Sequence, residues 1–307
     1  MANLLNTAVP YDDNAIREDL LAILQNISPT ETQLVSGLGT SMATSYYHQT
    51  LIDTLNAVKV NANIDGAAAT FNTLTNPVRQ VNFTQIFKQG FRVSDTDRAT
   101  NQAAFNDRFQ YEATKALKLI KNDMEYALMR GSLATGSGTN TARQLNGLKN
   151  SLSLITSQSG VSLTEKILND LFQLVWDNTG IQINAVYGPM YIKRKISAFT
   201  GGTATKYFTQ DDRRLINAID VYQADAASMV KLFAHRYVSV QGTDYASANP
   251  AYDVVAINED FFKVAYLRKP IVQQLAKVGD STDGQVVVEA TLEAQHYQAG
   301  FWSSSMT

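Results

Sequence analysis

Three histidines, His48, His235 and His296, are the side chains of this sequence whose ordinary titration falls near neutral pH. None sits in an H-E-x-x-H spacing, so a metal or general-base site could only be assembled by the fold. Each reads best as an ordinary hydrogen-bonded histidine. The chain has no cysteine, which removes disulfides, thiol catalysis and cysteine-ligated zinc or iron–sulfur sites. It has no G-x-S-x-G elbow for a nucleophilic serine and no Gly-Lys pair for a Walker A loop. Gly37-Leu38-Gly39 and Gly136-Ser137-Gly138 read as turns, since neither continues as G-x-G-x-x-G after a strand. Asp211–Asp212 abuts Arg213 and Arg214, and Asp280–Asp283 lies in a glycine-bounded turn; both read as solvated loops. The basic run Lys193, Arg194, Lys195 sits on a helix whose apolar residues point elsewhere. It is a solvated face or, more sharply, a contact patch for an acidic neighbour. No aromatic residues interleave with it as nucleic-acid binding would ask.

Composition narrows the classes further. Of 307 residues, 45% are hydrophobic and 18% charged, against about 25% charged in an average soluble domain. Roughly 29% are Asn, Gln, Ser or Thr, so uncharged polarity has replaced charge. The hydrophobic fraction is too high, and the net charge of -2 too small, for a disordered chain. No stretch approaches the ~20 apolar residues of a membrane helix. The start MANLLNTAVPYDDN lacks the basic end and apolar core of an export signal. The expectation is a soluble protein. With 26 basic and 28 acidic residues, no global charge calls for nucleic acid.

The elements that must position these residues follow from periodicity. After a lead of 12 residues, Ile16, Leu20, Ile23, Leu24 and Ile27 follow helical spacing, with Asp12 and Asp13 at the start and Pro29 beyond the end. Residues 44–95 read as a long two-armed β excursion. Its second arm alternates Val81, Phe83, Phe87, Phe91 and Val93 with Asn82, Thr84, Lys88 and Arg92. The first arm, 46–60, is weaker, and a polar tip lies between them. Arms of about 15 residues would reach ~50 Å, while a compact globule of this length has a radius of gyration near ~19 Å. The phenylalanines of such an excursion need a neighbour.

A helix is predicted from Arg98 to Arg130, stopped by Gly131 in a left-handed conformation, with Arg108, Glu112 and Lys115 paired outside. About 33 residues would span ~50 Å. Beyond the loop 132–141, a capping box at Ser162 and Glu165 opens a helix closed by Gly180, and a strand over 182–187 precedes a helix opened by Pro189. A hairpin is predicted over 219–222 and 229–238. Strands follow over 253–257, 264–267, 271–278 and, after the turn GDSTDG, 285–293.

This order resembles the major capsid proteins of tailed double-stranded DNA bacteriophages. The most specific stretches are ISPTETQLVSGLG with TSYYHQTLIDTL, FTQIFKQGFRVSDTD, and AYLRKPIVQQLAKVGDSTDGQVVVEATLE. The resemblance implies an α+β fold with an N-terminal arm (1–43), an E-loop hairpin (44–95), a P-domain with a spine helix (96–142), an A-domain (143–250) and P-domain return strands (251–307). It implies a structural protein rather than an enzyme, with no cofactor and no metal. Its copies would form hexamers and pentamers of an icosahedral head, a virion shell assembled in the bacterial cytoplasm around DNA bound without sequence specificity. Phe83, Phe87 and Phe91, with Ile16, Leu20 and Ile23 of the arm, would contact adjacent subunits, and Lys193 and Arg194 are further contact candidates.

About 40 residues precede the hairpin, so scaffolding is expected from a separate polypeptide, alongside a portal and decoration proteins. Nothing pairs Lys59 or Lys88 with a particular asparagine, and no isopeptide crosslink is expected. The competing readings are a nanocompartment shell of the same fold, as in encapsulins, and a hydrolase using His48 or His235.

Overall fold

The computed structural model describes residues 32–69, 71, 73–74, 76–100, 107–137, 141–199, 220–224, 227–239, 252–277 and 279–306. In chain order the elements are α1 (Gln33–Gly37), β1 (Gly39–Met42), β2 (Tyr47–Ile52), β3 (Val78–Phe83), β4 (Gln85–Ser94), α2 (Asp95–Ala99), α3 (Arg108–Arg130), α4 (Leu148–Ser151) and β5 (Leu154–Ser157). There follow α5 (Glu165–Thr179), β6 (Ala185–Gly188), α6 (Met190–Ser197), β7 (Val221–Ala224), β8 (Ala227–Ala234), β9 (Tyr252–Ile257), β10 (Phe262–Gln274), β11 (Ser281–Ala294) and β12 (Gly300–Met306).

They form two sheets and a ribbon. One sheet has the order β1-β10-β11-β4, the other β5-β12-β9-β6-β8-β7, and β2 pairs with β3 alone. Helix α3 lies on the four-stranded sheet because Ala116, Ile120, Met124, Ala127 and Leu128 recur at helical spacing. They pack with Phe87, Val286, Val288, Ala290 and Leu292. A second core gathers Leu168, Leu171, Phe172 and Val175 of α5 with Ile192 and Ile196 of α6.

The six-stranded sheet divides these cores. In β9, Val254 and Ala256 enter the second core while Val255 and Ile257 enter the first, and in β12 Phe301 and Trp302 part in the same way. A strand buried on both faces reads as a continuous apolar run, which is how YDVVAI reads.

Several sequence expectations change. The helix from Arg98 is two helices: Thr100 ends α2 in an extended conformation (ψ 141°), and extended Asp107 caps α3 by accepting from the Phe109 N–H at 3.0 Å. Helix α3 has 23 residues, about 35 Å. Gly131 is not left-handed (φ -52°). A Cβ there would lie 2.5 Å from the Ala127 carbonyl oxygen and 2.7 Å from that of Leu145, so close backbone approach demands the glycine. Gly180, at φ 69°, is the left-handed stop expected of it. The α5 cap is Thr164, whose hydroxyl accepts from the Ile167 N–H, rather than Ser162.

The excursion is also shorter than expected. Its ribbon spans six residues on each side, Tyr47↔Phe83 through Ile52↔Val78. Strand β4 instead pairs with β11 from Gln85↔Ala290 to Ser94↔Ser281. The period-two pattern of 81–93 is real, but it spans two strands: 81–83 close the ribbon as the end of β3, and 85–93 are a sheet strand packed on α3. The expected strands 264–267 and 271–278 fuse into β10, with register shifts between Tyr266 and Ile271. Strand β12 had no counterpart among the expectations.

Candidate assembly surface

The ribbon ends in the most exposed large apolar side chains among the described residues. Leu55, Val58, Val60, Ile64, Phe71 and Leu74, all between β2 and β3, are 84–103% exposed. Burial of each such side chain is worth about 1.5–3 kcal/mol, none of it realised within this chain. A surface of this kind marks a contact with another molecule.

The ribbon's root, by contrast, is polar and closely held. Thr84, fully buried between β3 and β4, donates its N–H to the Tyr46 carbonyl at 2.9 Å. Its hydroxyl donates to Glu289 Oε1 at 2.7 Å. Glu289 also accepts from Arg143 Nη2 on Oε1 and from Arg268 Nε on Oε2, each at 2.8 Å. The Asn82 amide donates to the carbonyls of Leu292 (2.8 Å) and Asn146 (3.1 Å) and accepts the Asn146 N–H at 2.8 Å. On β2, His48 Nε2 lies 3.3 Å from Glu293 Oε2. Burial pushes the Glu293 carboxyl up. Hydrogen bonds from Ser41 and Gln295, with His48 beside it, outweigh burial and hold it below the ordinary glutamate range.

The three phenylalanines expected to reach a neighbour lie inside this chain instead. Phe87 is 6% exposed in the α3 core, and Phe83 is 8% exposed with Tyr47 edge-on at 5.2 Å. Phe91 packs on that core with the Phe109 ring at 5.0 Å. Pairing with β11 turns the Phe87 and Phe91 face of β4 toward α3, while Phe83, the last residue of β3, packs on Tyr47 across the ribbon. Ile16, Leu20 and Ile23 lie outside the described residues, as does Asp211–Asp212. On α6, Arg194 is exposed, while Lys193 is paired with Asp220 at 2.8 Å and Lys195 donates to the Ser162 hydroxyl at 3.0 Å.

The histidines are all occupied. His235 accepts the Tyr237 N–H on Nδ1 at 3.2 Å, so Nε2 carries the proton and donates to Glu125 Oε1 at 2.8 Å. Glu125, fully buried on α3, also accepts the N–H groups of Leu34 (2.7 Å) and Val35 (2.8 Å), the free donors at the start of α1. His296 accepts the Gln298 N–H at 3.2 Å, and burial lowers its pKa.

Asp283 is not in a solvated turn. It lies in β11 and holds Arg92 through two bonds of 2.6 and 2.7 Å, which keep its carboxyl below the usual range. Asp95 is lowered likewise by hydrogen bonds from Lys277 and Thr282. Among the described residues, no three of His, Asp and Glu are placed to hold a metal ion, and no helix is long and apolar enough to cross a membrane.

Sequence reasoning missed the nodes at Glu125, Glu289 and Asn82. Asn82 and Thr84 fall on the polar side of a period-two strand, where they read as solvent-facing. Only the contact with β11 shows them buried.

Solved structures share this fold. A chain from the capsid of a native GTA particle matches with a TM-score of 0.69 at 10% identity, over 99% of this chain and 100% of that one. One from Gordonia phage Cozz matches at 0.62 and 9% identity, over 95% and 92%. The SrpI encapsulin of Synechococcus elongatus matches at 0.56 and 12% identity, over 94% and 91%. Two layered cores, a helix across one sheet and a projecting apolar ribbon thus make this the fold of tailed-phage capsid proteins.

At the level of sequence the assignment is narrower. Residues 3–306 match the model of the SU10 major capsid protein, and the chain belongs to that family, a structural family rather than an enzyme family. The major capsid protein of Escherichia phage Phieco32 is 30% identical over 128 residues. That match covers 41% of this chain and spans about a third (36%) of the relative's length.

Proposed function

We propose that copies of this protein assemble into the hexamers and pentamers of an icosahedral phage head enclosing double-stranded DNA. The observation that carries the reading is the ribbon tip, six large apolar side chains left bare in a member of a capsid family. In this reading the ribbon is the E-loop, within 44–95, and it lies across an adjacent subunit. Residues 1–43 are the N-terminal arm, 96–142 and 251–307 the P-domain and 143–250 the A-domain. Arg194, exposed on α6, is a further contact candidate. A scaffolding protein, a portal and decoration proteins are the partners such a shell recruits.

The low charge suits this role. Asn, Gln, Ser and Thr can hydrogen-bond across seams between copies without the desolvation cost of unpaired ions. Part of the gain at each tip is spent in ordering it, so a closed shell rests on many modest contacts.

Electron microscopy of the protein expressed with its phage's scaffold tests the reading. Shells or capsomers are expected; a clean monomer at high concentration overturns it. The likeness to the SrpI encapsulin keeps a nanocompartment shell as the second reading, which predicts a copurifying cargo enzyme and no packaged DNA.

A further inference from the structure

The ribbon meets the body through few polar groups: Asn82 holds Asn146 and Leu292, His48 faces Glu293, and Thr84 reaches Glu289, a carboxylate that two arginines also hold. Glu289 is buried on β11, at the point where β10 shifts register and pairs Arg268 with it. A register shift of this kind re-aims a side chain, and here Arg268 Nε reaches Glu289 Oε2. The opposite oxygen takes Thr84 and Arg143.

These partners come from three separate places. Thr84 is the single residue between β3 and β4, so it is the corner at which the chain turns from ribbon into sheet. Arg143 lies in the segment before α4, and its guanidinium also sits 5.2 Å from the ring centre of Tyr46, the residue before β2. The Tyr46 carbonyl in turn accepts the Thr84 N–H. Both strands of the ribbon are therefore tied at its root to Glu289, β3 at its end through Thr84 and β2 at its start through Tyr46 and Arg143. A two-stranded ribbon has little stability of its own. Its direction must be imposed from the root.

We propose that Glu289, Arg143, Arg268 and Thr84 form a positioning cluster that fixes the angle at which the ribbon leaves the body. The apolar tip is then presented in one direction before any neighbour arrives, which lowers the ordering cost of association. The angle stands on the root geometry alone; its effect on assembly rests on the reading of the ribbon as an inter-subunit arm.

The chain has no cysteine, so Asn56→Cys on the exposed tip and Lys118→Cys on the exposed side of α3 can carry a spin-label pair without other changes. Double electron–electron resonance on the full-length, unassembled chain reads the angle directly. A narrow distance distribution is expected, and Thr84→Val and Arg143→Gln should each at least double its width. Assembly at fixed subunit concentration should slow by about tenfold, the worth of one charge-assisted hydrogen bond. Arg143→Lys should restore much of both.

A distribution as narrow as the parent's in both variants overturns the cluster's role. If Thr84→Val fails to fold, Arg143→Gln, on a partly exposed side chain, decides alone. Broadening with an unchanged assembly rate supports the fixed angle and overturns the inter-subunit reading of the ribbon.

Discussion

Glu125→Ala should be among the most damaging single changes in the body of the subunit. The carboxylate is fully buried and accepts three hydrogen bonds, from Leu34 N–H at 2.7 Å, Val35 N–H at 2.8 Å and His235 Nε2 at 2.8 Å. Alanine leaves all three donors without this partner, those of Leu34 and His235 buried and that of Val35 partly so. Each hydrogen bond to a charged group is worth about 1.5–3 kcal/mol, and each buried donor left unsatisfied costs about 1–3 kcal/mol. Because the three share one acceptor group they do not add, and a loss of about 4 kcal/mol is expected. With a urea dependence of about 3 kcal/mol per molar, the midpoint falls by about 1.3 M.

Glu125→Gln keeps one acceptor oxygen and should lose about half as much. Hydrogen exchange locates the effect, since the Leu34 and Val35 amides should exchange about 10–100 times faster. His235→Phe in the Glu125→Ala background should cost less than in the parent, because its partner is already gone. A loss below about 1 kcal/mol, with exchange at Leu34 and Val35 unchanged, would show that the carboxylate does not hold α1 and would refute the reasoning.

Three further outcomes are expected. Phe71→Ser with Leu74→Ser should abolish shells in electron micrographs while changing the subunit's unfolding free energy by no more than about 0.5 kcal/mol, since both side chains are exposed in the subunit. Phe87→Ala should do the reverse first, destabilising the subunit by about 3–5 kcal/mol in urea titration, because it leaves a cavity under α3. Acidification should weaken the subunit in two stages, followed by thermal melting. His296 has a lowered pKa in the fold, so the unfolded chain takes up its proton first and stability falls as pH drops below about 6.5. Asp95, Asp283 and Glu293 also have lowered values, so their contribution is present above about pH 4 and is lost as pH falls through their folded values. His296→Asn should remove the first stage only.

The alternation at Phe83, Phe87, Phe91 and Val93 revealed a strand with one apolar face, but not the partner of that face. Period two is the same for a free arm and for a strand on α3, and only the pairing with β11 decides between them. The helical spacing from Phe109 to Leu128 was legible because a long helix buries one face. Its start was not, since apolar residues before Asp107 continue the spacing while Asp107 caps. The family order was visible through long, regular elements. The root of the ribbon was not, because Asn82, Thr84, Arg143 and Glu289 meet across more than 200 residues of chain, and local pattern carries no trace of such a meeting.

Beyond the corner at Thr84, β3 passes without a loop into β4, ten residues laddered against β11, which is itself laddered on its far side to β10. Tension drawn through the covalent chain from a loaded tip therefore enters the sheet at Gln85, the first residue of β4. The component of such a load along β4 shears the ladder, so many hydrogen bonds must give together, whereas a sideways component would open them one after another. The angle set at Thr84 thus also sets how firmly the body resists a pull on the ribbon.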